Sequence, residues 1–122
     1  VILPDDRQML SDQMLNYCHQ GIDLILTTGG TGFSKRDVTP EATADIVERR
    51  ADNLTFAMIA NSLQYTPKAM LSRGIAGIRE NTLIVNLPGS PKAVRENLEY
   101  AIDAIIHGVK ILKGDDAECA RK

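Results

Sequence analysis

Apolar positions along the chain switch between helical and strand-like spacing, and the switches mark out the elements. From Asp6 to His19, Leu10, Met14 and Tyr17-Cys18 recur at helical intervals, and Gly21 is placed to end that helix. Leu24 to Thr27 is a continuous apolar run suited to a buried parallel strand. Thr39-Pro40 supplies an N-cap followed by proline at the first helical position, for a helix predicted to run to about Arg50. A second helix is expected from about Leu54 to Leu63, stopping before Thr66-Pro67. Gly74 to Arg79 and Thr82 to Leu87 are apolar segments around Glu80-Asn81, which predicts a hairpin. Ser90-Pro91 then opens the longest helix, with Val94, Leu98, Ile102, Ile105, Val109 and Leu112 along one face and Gly114 closing it. Val1 to Leu3 reads as the end of another strand. The alternation predicts an α/β fold: a three-layer domain with helices on a mostly parallel sheet, plus a short β-hairpin.

Composition narrows this picture. The chain has 122 residues, 43% hydrophobic and 25% charged, enough to bury one core, so residues 1–114 are read as one domain and 115–122 as a disordered polar tail. A net charge of −2 argues against an extended nucleic-acid surface, while leaving local basic sites such as Lys35-Arg36. No apolar stretch approaches the roughly 20 residues needed to span a bilayer, and the start does not resemble a signal peptide. Cys18 and Cys119 lack metal-type spacing and are read as reduced thiols of a cytoplasmic protein. His19 and His107 are expected at a helix end and on a helix surface, and Met9, Met14, Met58 and Met70 in the core.

Candidate chemistry concentrates between Thr27 and Thr43, T-T-G-G-T-G-F-S-K-R-D-V-T-P-E-A-T. Gly29, Gly30 and Gly32 follow the strand, leaving Thr31 as the bulky residue of a turn able to present successive N–H groups to an anion. Lys35 and Arg36 add positive charge, whereas Asp37 would repel a phosphate unless a divalent cation lay between them, as Mg²⁺ does when it bridges a carboxylate and phosphate oxygens. The segment lacks the G-K-[ST] ending of a P-loop and is not a G-x-G-x-x-G fingerprint. On these residues alone a tight turn and a metal-assisted nucleotide site both stand, and Asp37 also fits a solvated charge near a helix start.

Three further positions carry paired readings. Asp5, followed by Gln8, fits a helix N-cap with its capping-box partner. Ser72 and Arg73 can together grip a phosphate, but the usual fate of such a pair is a local backbone contact and an exposed charge. Asn86 to Pro91 repeats the first site's strand, glycine turn and helix start; its Leu87-Pro88-Gly89-Ser90 segment fits binding of an anion or a nucleotide, and Ser90 is also well explained as an N-cap.

The 27–43 segment, together with L-P-D-D at 3–6, M-L-S-R-G-I-A-G-I-R at 70–79 and L-I-V-N-L-P-G-S-P-K-A at 83–93, resembles the molybdopterin adenylyltransferase family of molybdenum cofactor biosynthesis, shared by bacterial Mog proteins and the G domain of gephyrin. The resemblance runs from about Leu3 to Gly114. It implies Mg²⁺-dependent transfer of AMP from ATP to the phosphate of molybdopterin, with release of pyrophosphate. It pairs Asp5 with Asp37 as catalytic and Mg²⁺-binding carboxylates. Thr28, Gly29, Gly30, Thr31, Gly32, Pro88, Gly89 and Ser90 would bind the nucleotide and its phosphates, and Ser72 and Arg73 the pterin. It further implies a homotrimer, a possible molybdate-insertion partner protein, and no nucleic acid or membrane partner. Two other activities remain compatible with it: molybdopterin binding or scaffolding without turnover, and the related molybdate insertion. Members of this family normally begin with a further strand and helix that carry a Ser-Asp pair, so the chain is expected to be N-terminally incomplete.

Overall fold

The computed structural model describes residues 1–114, as three layers in which helices cover both faces of one sheet. The elements in chain order are α1 (Arg7–His19), β1 (Leu24–Thr28), α2 (Thr39–Ala44), β2 (Arg49–Arg50), α3 (Asp52–Ser62), a 3-10 turn (Pro67–Leu71), β3 (Ala76–Arg79), β4 (Thr82–Leu87) and α4 (Pro91–Leu112). The expected α/β class holds, and the four-stranded sheet is mixed, in the order β1-β4-β3-β2. β1 and β4 run parallel, with Leu24 opposite Leu83 and Thr28 opposite Leu87. β3 and β4 form the expected antiparallel hairpin, and β2 pairs antiparallel with β3.

The two-residue side-chain period of β4 divides the core. Leu83, Val85 and Leu87 face Met58 of α3 and Ala101 and Ile105 of α4, whereas Ile84 faces Met14, Cys18, Ala42 and Ile46 on the α1–α2 side. All six β4 residues are buried, as a strand covered on both faces requires. β1 lies at the sheet edge; Leu26 is exposed there, and among the described residues nothing pairs with its outer side.

Several boundaries differ from the sequence expectations. Residues 1–3 form no strand. The N-cap of α1 is Asp6, whose carboxylate accepts from the Met9 N–H at 2.9 Å, so the capping role read at Asp5 belongs to its neighbour. Thr39 is the first residue of α2 and Val38 precedes it without a side-chain cap. The helix stops at Ala44, far short of Arg50, because the next stretch is drawn into the sheet: the Glu48 N–H donates to Ile78 O at 2.8 Å and the Ala51 N–H to Ala76 O at 2.9 Å. Gly77 permits this closure, since a Cβ there would come within 2.6 Å of Val47 Cγ1. Met14 and Met58 are core residues as expected, but Met9 and Met70 are exposed. Cys18 is buried and unbridged, its thiol pushed up by desolvation, while Cys119 and the 115–122 tail lie outside the described residues. No helix among the described residues is long and apolar enough to cross a membrane.

Candidate functional site

Because β1 and β4 are parallel neighbours, their carboxyl ends emerge side by side, and so do the two glycine turns that follow them. The Gly29 N–H donates to Leu87 O at 3.1 Å, and a Cβ built on Gly89 would lie 3.4 Å from the Gly29 Cα. Gly29 has φ +84° and Gly30 φ +69°, and a Cβ on Gly30 would fall 2.3 Å from Thr39 Oγ1. Glycine at position 30 is therefore required twice, by its left-handed backbone and by the start of α2 pressed against it.

A cleft of about 380 Å³ opens where the turns meet, bounded by α3, the 3-10 turn and the start of α4. Of the residues singled out from sequence, Gly29, Gly30, Thr31, Gly32, Asp37, Ser72, Pro88, Gly89 and Ser90 all line it. A second cleft of about 390 Å³ runs along the open edge of β1 and contains Asp5 and Thr28; Gly29 and Gly30 line both clefts. The glycine turn is thus a shared wall, with Asp37 on one side and Asp5 on the other.

Asp37 is held by its own loop. Its Oδ2 accepts from the Ser34 N–H at 3.0 Å, and a Cβ on Gly32 would approach that oxygen to 3.0 Å. Lys35 and Arg36 line neither cleft. Among the described residues no group of three or more His, Cys, Asp and Glu side chains is clustered to hold a metal ion. The donor set nonetheless fits Mg²⁺ in its usual mode, in which one or two carboxylates share the ion with substrate phosphates, and does not fit an all-protein cage.

Arg73 is placed differently from Ser72. It lines neither cleft, and its guanidinium faces the glycine loop: Nε donates to Gly32 O at 2.8 Å, Nη2 to Asp37 O at 2.7 Å, and Nη1 and Nη2 to Glu41 at 2.5 and 3.3 Å. Its own N–H donates to Thr31 O at 2.8 Å. Here the side chain forms a clamp that joins the 72–74 strand entry to both ends of the 32–37 loop. The Arg73 hydrogen bonds hold the Glu41 carboxyl below its ordinary pKa, and Glu41 raises that of Arg73. Ser72 keeps its place in the cleft: its Oγ accepts from the Gly74 N–H at 3.3 Å, leaving the hydroxyl able to donate to a ligand.

The inner wall carries polar residues that sequence reading passed over. Asn86, buried on β4, accepts from the Ile75 N–H and donates to Thr27 and Thr43 Oγ1, each at 3.0 Å. Ser62 of α3 donates to Asn97 of α4 at 2.7 Å, and both are buried in the cleft wall. Asn97 lies one turn beyond Val94 and one turn before Ala101 on the apolar face of α4, and a polar residue inside that stripe was the available signal.

Residues 1–107 match the family described as "probable molybdopterin binding domain". The chain is 49% identical over 111 residues to gephyrin of Dictyostelium discoideum, covering 91% of this chain and 16% of that protein. It is 42% identical over 115 residues to the molybdopterin adenylyltransferase of Helicobacter pylori, covering 93% of this chain and 65% of that enzyme. The chain thus spans less than two thirds of the length of these curated relatives. Among solved structures it is similar to the molybdopterin biosynthesis enzyme MoaB of Thermus thermophilus, at 45% identity and a TM-score of 0.85, over 91% of this chain and 70% of that one.

Proposed function

This chain belongs to the family of probable molybdopterin-binding domains, and from that premise we propose that it acts in molybdenum cofactor biosynthesis as a molybdopterin adenylyltransferase, moving AMP from ATP to the molybdopterin phosphate. The observation that carries the reading is the convergence of both glycine turns, Asp37 and Ser72 on one cleft at the carboxyl ends of β1 and β4. A relative of similar sequence bears that activity in its name.

In the proposed reaction an oxygen of the pterin phosphate attacks the α-phosphorus of ATP, a new P–O–P bridge forms, and the bond to the β-phosphate breaks, releasing pyrophosphate. The nucleophile is already an anion, so the chain need not supply a strong base. Its tasks are alignment and stabilisation of charge on the phosphoryl oxygens. In this reading the amides of Gly30, Thr31 and Gly32 serve the second task, the Gly29 N–H being taken up by Leu87 O, with no Cβ in the way of a phosphate at the glycines. Pro88, Gly89 and Ser90 bound the nucleotide side, and Ser72 donates to the pterin phosphate. Arg73 acts behind the loop as a positioning residue. Asp37 would hold Mg²⁺, which would neutralise phosphate charge, while Asp5 lines the neighbouring cleft beyond the shared wall.

The test is an anaerobic assay with molybdopterin, ATP and Mg²⁺ that follows adenylylated pterin and pyrophosphate together, on this chain and on Asp37→Asn. Stoichiometric formation of both products by the former and nearly none by the latter is the expected result. Pterin binding without either product, in a chain extended to the length of its relatives, would overturn the enzymatic reading in favour of a binding domain.

A further inference from the structure

We infer that Lys68 is the side chain that binds substrate phosphate in the cleft, in partnership with the Ser72 hydroxyl. The inference deepens the proposed function and depends on it only for the identity of the anion.

The cleft contains two carboxylates, Asp37 and Glu96, and its proposed ligands are themselves anions, so a basic side chain there adds to the neutralisation that Mg²⁺ at Asp37 would supply. The basic residues that sequence reading offered are all elsewhere. Lys35 and Arg36 line neither cleft, and the Arg73 guanidinium is engaged by Gly32, Asp37 and Glu41. Lys68 is the one basic side chain among the described residues that line the cleft, and among those residues no hydrogen bond or ion pair engages its ammonium.

Its backbone is fixed even though its side chain is free. Thr66 caps the 3-10 turn by accepting the Lys68 N–H on Oγ1 at 3.2 Å, and the turn closes when the Ser72 N–H donates to Ala69 O at 3.2 Å. Lys68 and Ser72 consequently stand at the two ends of one tight turn on the cleft rim. A compact ammonium on a flexible stem and a hydroxyl donor suit a phosphate group, which accepts from several directions.

The experiment compares wild type, Lys68→Met and Lys68→Arg for equilibrium binding of ATP and, separately, of molybdopterin, at low and high salt, with AMP transfer measured on the same samples. Lys68→Met should weaken one of the two ligands about tenfold at low salt, the loss of a single charge-assisted contact. Lys68→Arg should bind within about twofold of wild type, and the salt dependence should flatten in Lys68→Met. Loss confined to ATP assigns the contact to the nucleotide phosphates; loss confined to molybdopterin assigns it to the pterin phosphate. Unchanged binding of both ligands by Lys68→Met would overturn the inference. Wild type that binds through Lys68 but transfers no AMP would instead overturn the functional reading and leave the anion contact standing. Lys68 is exposed, so an unchanged thermal midpoint is expected and separates loss of contact from loss of fold.

Discussion

Arg73 holds Glu41 through two guanidinium nitrogens, at 2.5 and 3.3 Å, while the same side chain donates to the carbonyls of Gly32 and Asp37. The pair ties the first turn of α2 to the entry of β3 across the back of the candidate site. Glu41→Gln should therefore reduce stability at neutral pH by about 0.2–1 kcal/mol, the range for a solvent-screened pair. Since the folded-state pKa of Glu41 is lowered, its contribution is complete above the ordinary value of 4.5 and is lost as the pH falls through the folded value. Denaturant titrations from pH 7 to 3 should show the gap between wild type and variant closing at the acid end. A gap that widened on acidification would rule the pair out as its source.

Arg73→Lys keeps the charge but not the fork. One ammonium cannot replace guanidinium bonds to Gly32, Asp37 and Glu41 at once, so a loss of about 2 kcal/mol is expected, together with reduced turnover. Preserved affinity for molybdopterin with a lower kcat would mark Arg73 as a positioning residue; a rise in KM alone would return it to the ligand.

Asp37→Asn should lower adenylyl transfer by about 10²–10³-fold while leaving pterin affinity within a few-fold, if its charge acts at the reacting phosphates. Single-turnover rates and equilibrium pterin binding, measured on one preparation, give the comparison. Equal losses in both would assign Asp37 to binding.

Gly30→Ala forces a Cβ to within 2.3 Å of Thr39 Oγ1 at a φ of +69°. A destabilisation of about 2–3 kcal/mol is expected from steric and backbone strain combined, read as a fall in the thermal midpoint. Gly21→Ala is the control, since it shares a positive φ of +81° but has nothing within 4 Å. It should cost about half as much or less.

Glu80 has φ +54° in the hairpin turn between β3 and β4, an unfavourable conformation for a residue with a Cβ. Glu80→Gly should raise stability by about 0.5–1 kcal/mol, the relief of strain less the added chain entropy of glycine. The backbone N–H that donates to Glu48 Oε1 at 2.7 Å is retained in the variant, so the turn itself should persist. Thermal melts of the two proteins test it.

The sequence displayed what depends on local patterns. The α4 stripe, the β3–β4 hairpin and the Ser90 cap all follow from spacing and turn chemistry, and each is present, with Ser90 accepting from the Ala93 N–H at 3.3 Å. The glycine turns were legible because positive φ selects so few residues. What stayed hidden was decided by distant partners. Nothing local ends α2 at Ala44; the β3 edge does, by accepting the N–H groups of Glu48 and Ala51. Arg73 looks like an anion ligand in one dimension and becomes a clamp once Gly32, Asp37 and Glu41 are brought round it. Asp5 and Asp37 likewise share a motif set while lining different clefts on either side of one turn.

The backbone contact between Gly29 and Gly89 reaches beyond the cleft it helps to form. The two turns share the same small space: a Cβ on Gly89 would sit at ordinary contact distance, 3.4 Å from the Gly29 Cα, and one on Gly29 would sit 3.9 Å from the Gly89 Cα, each built against a partner that has no Cβ of its own. Two codons far apart in the gene thus answer to one steric vacancy. Enlarging either residue reduces what the other can tolerate, so the pair should behave epistatically under random mutagenesis, and variation in one turn is licensed only by smallness in its counterpart.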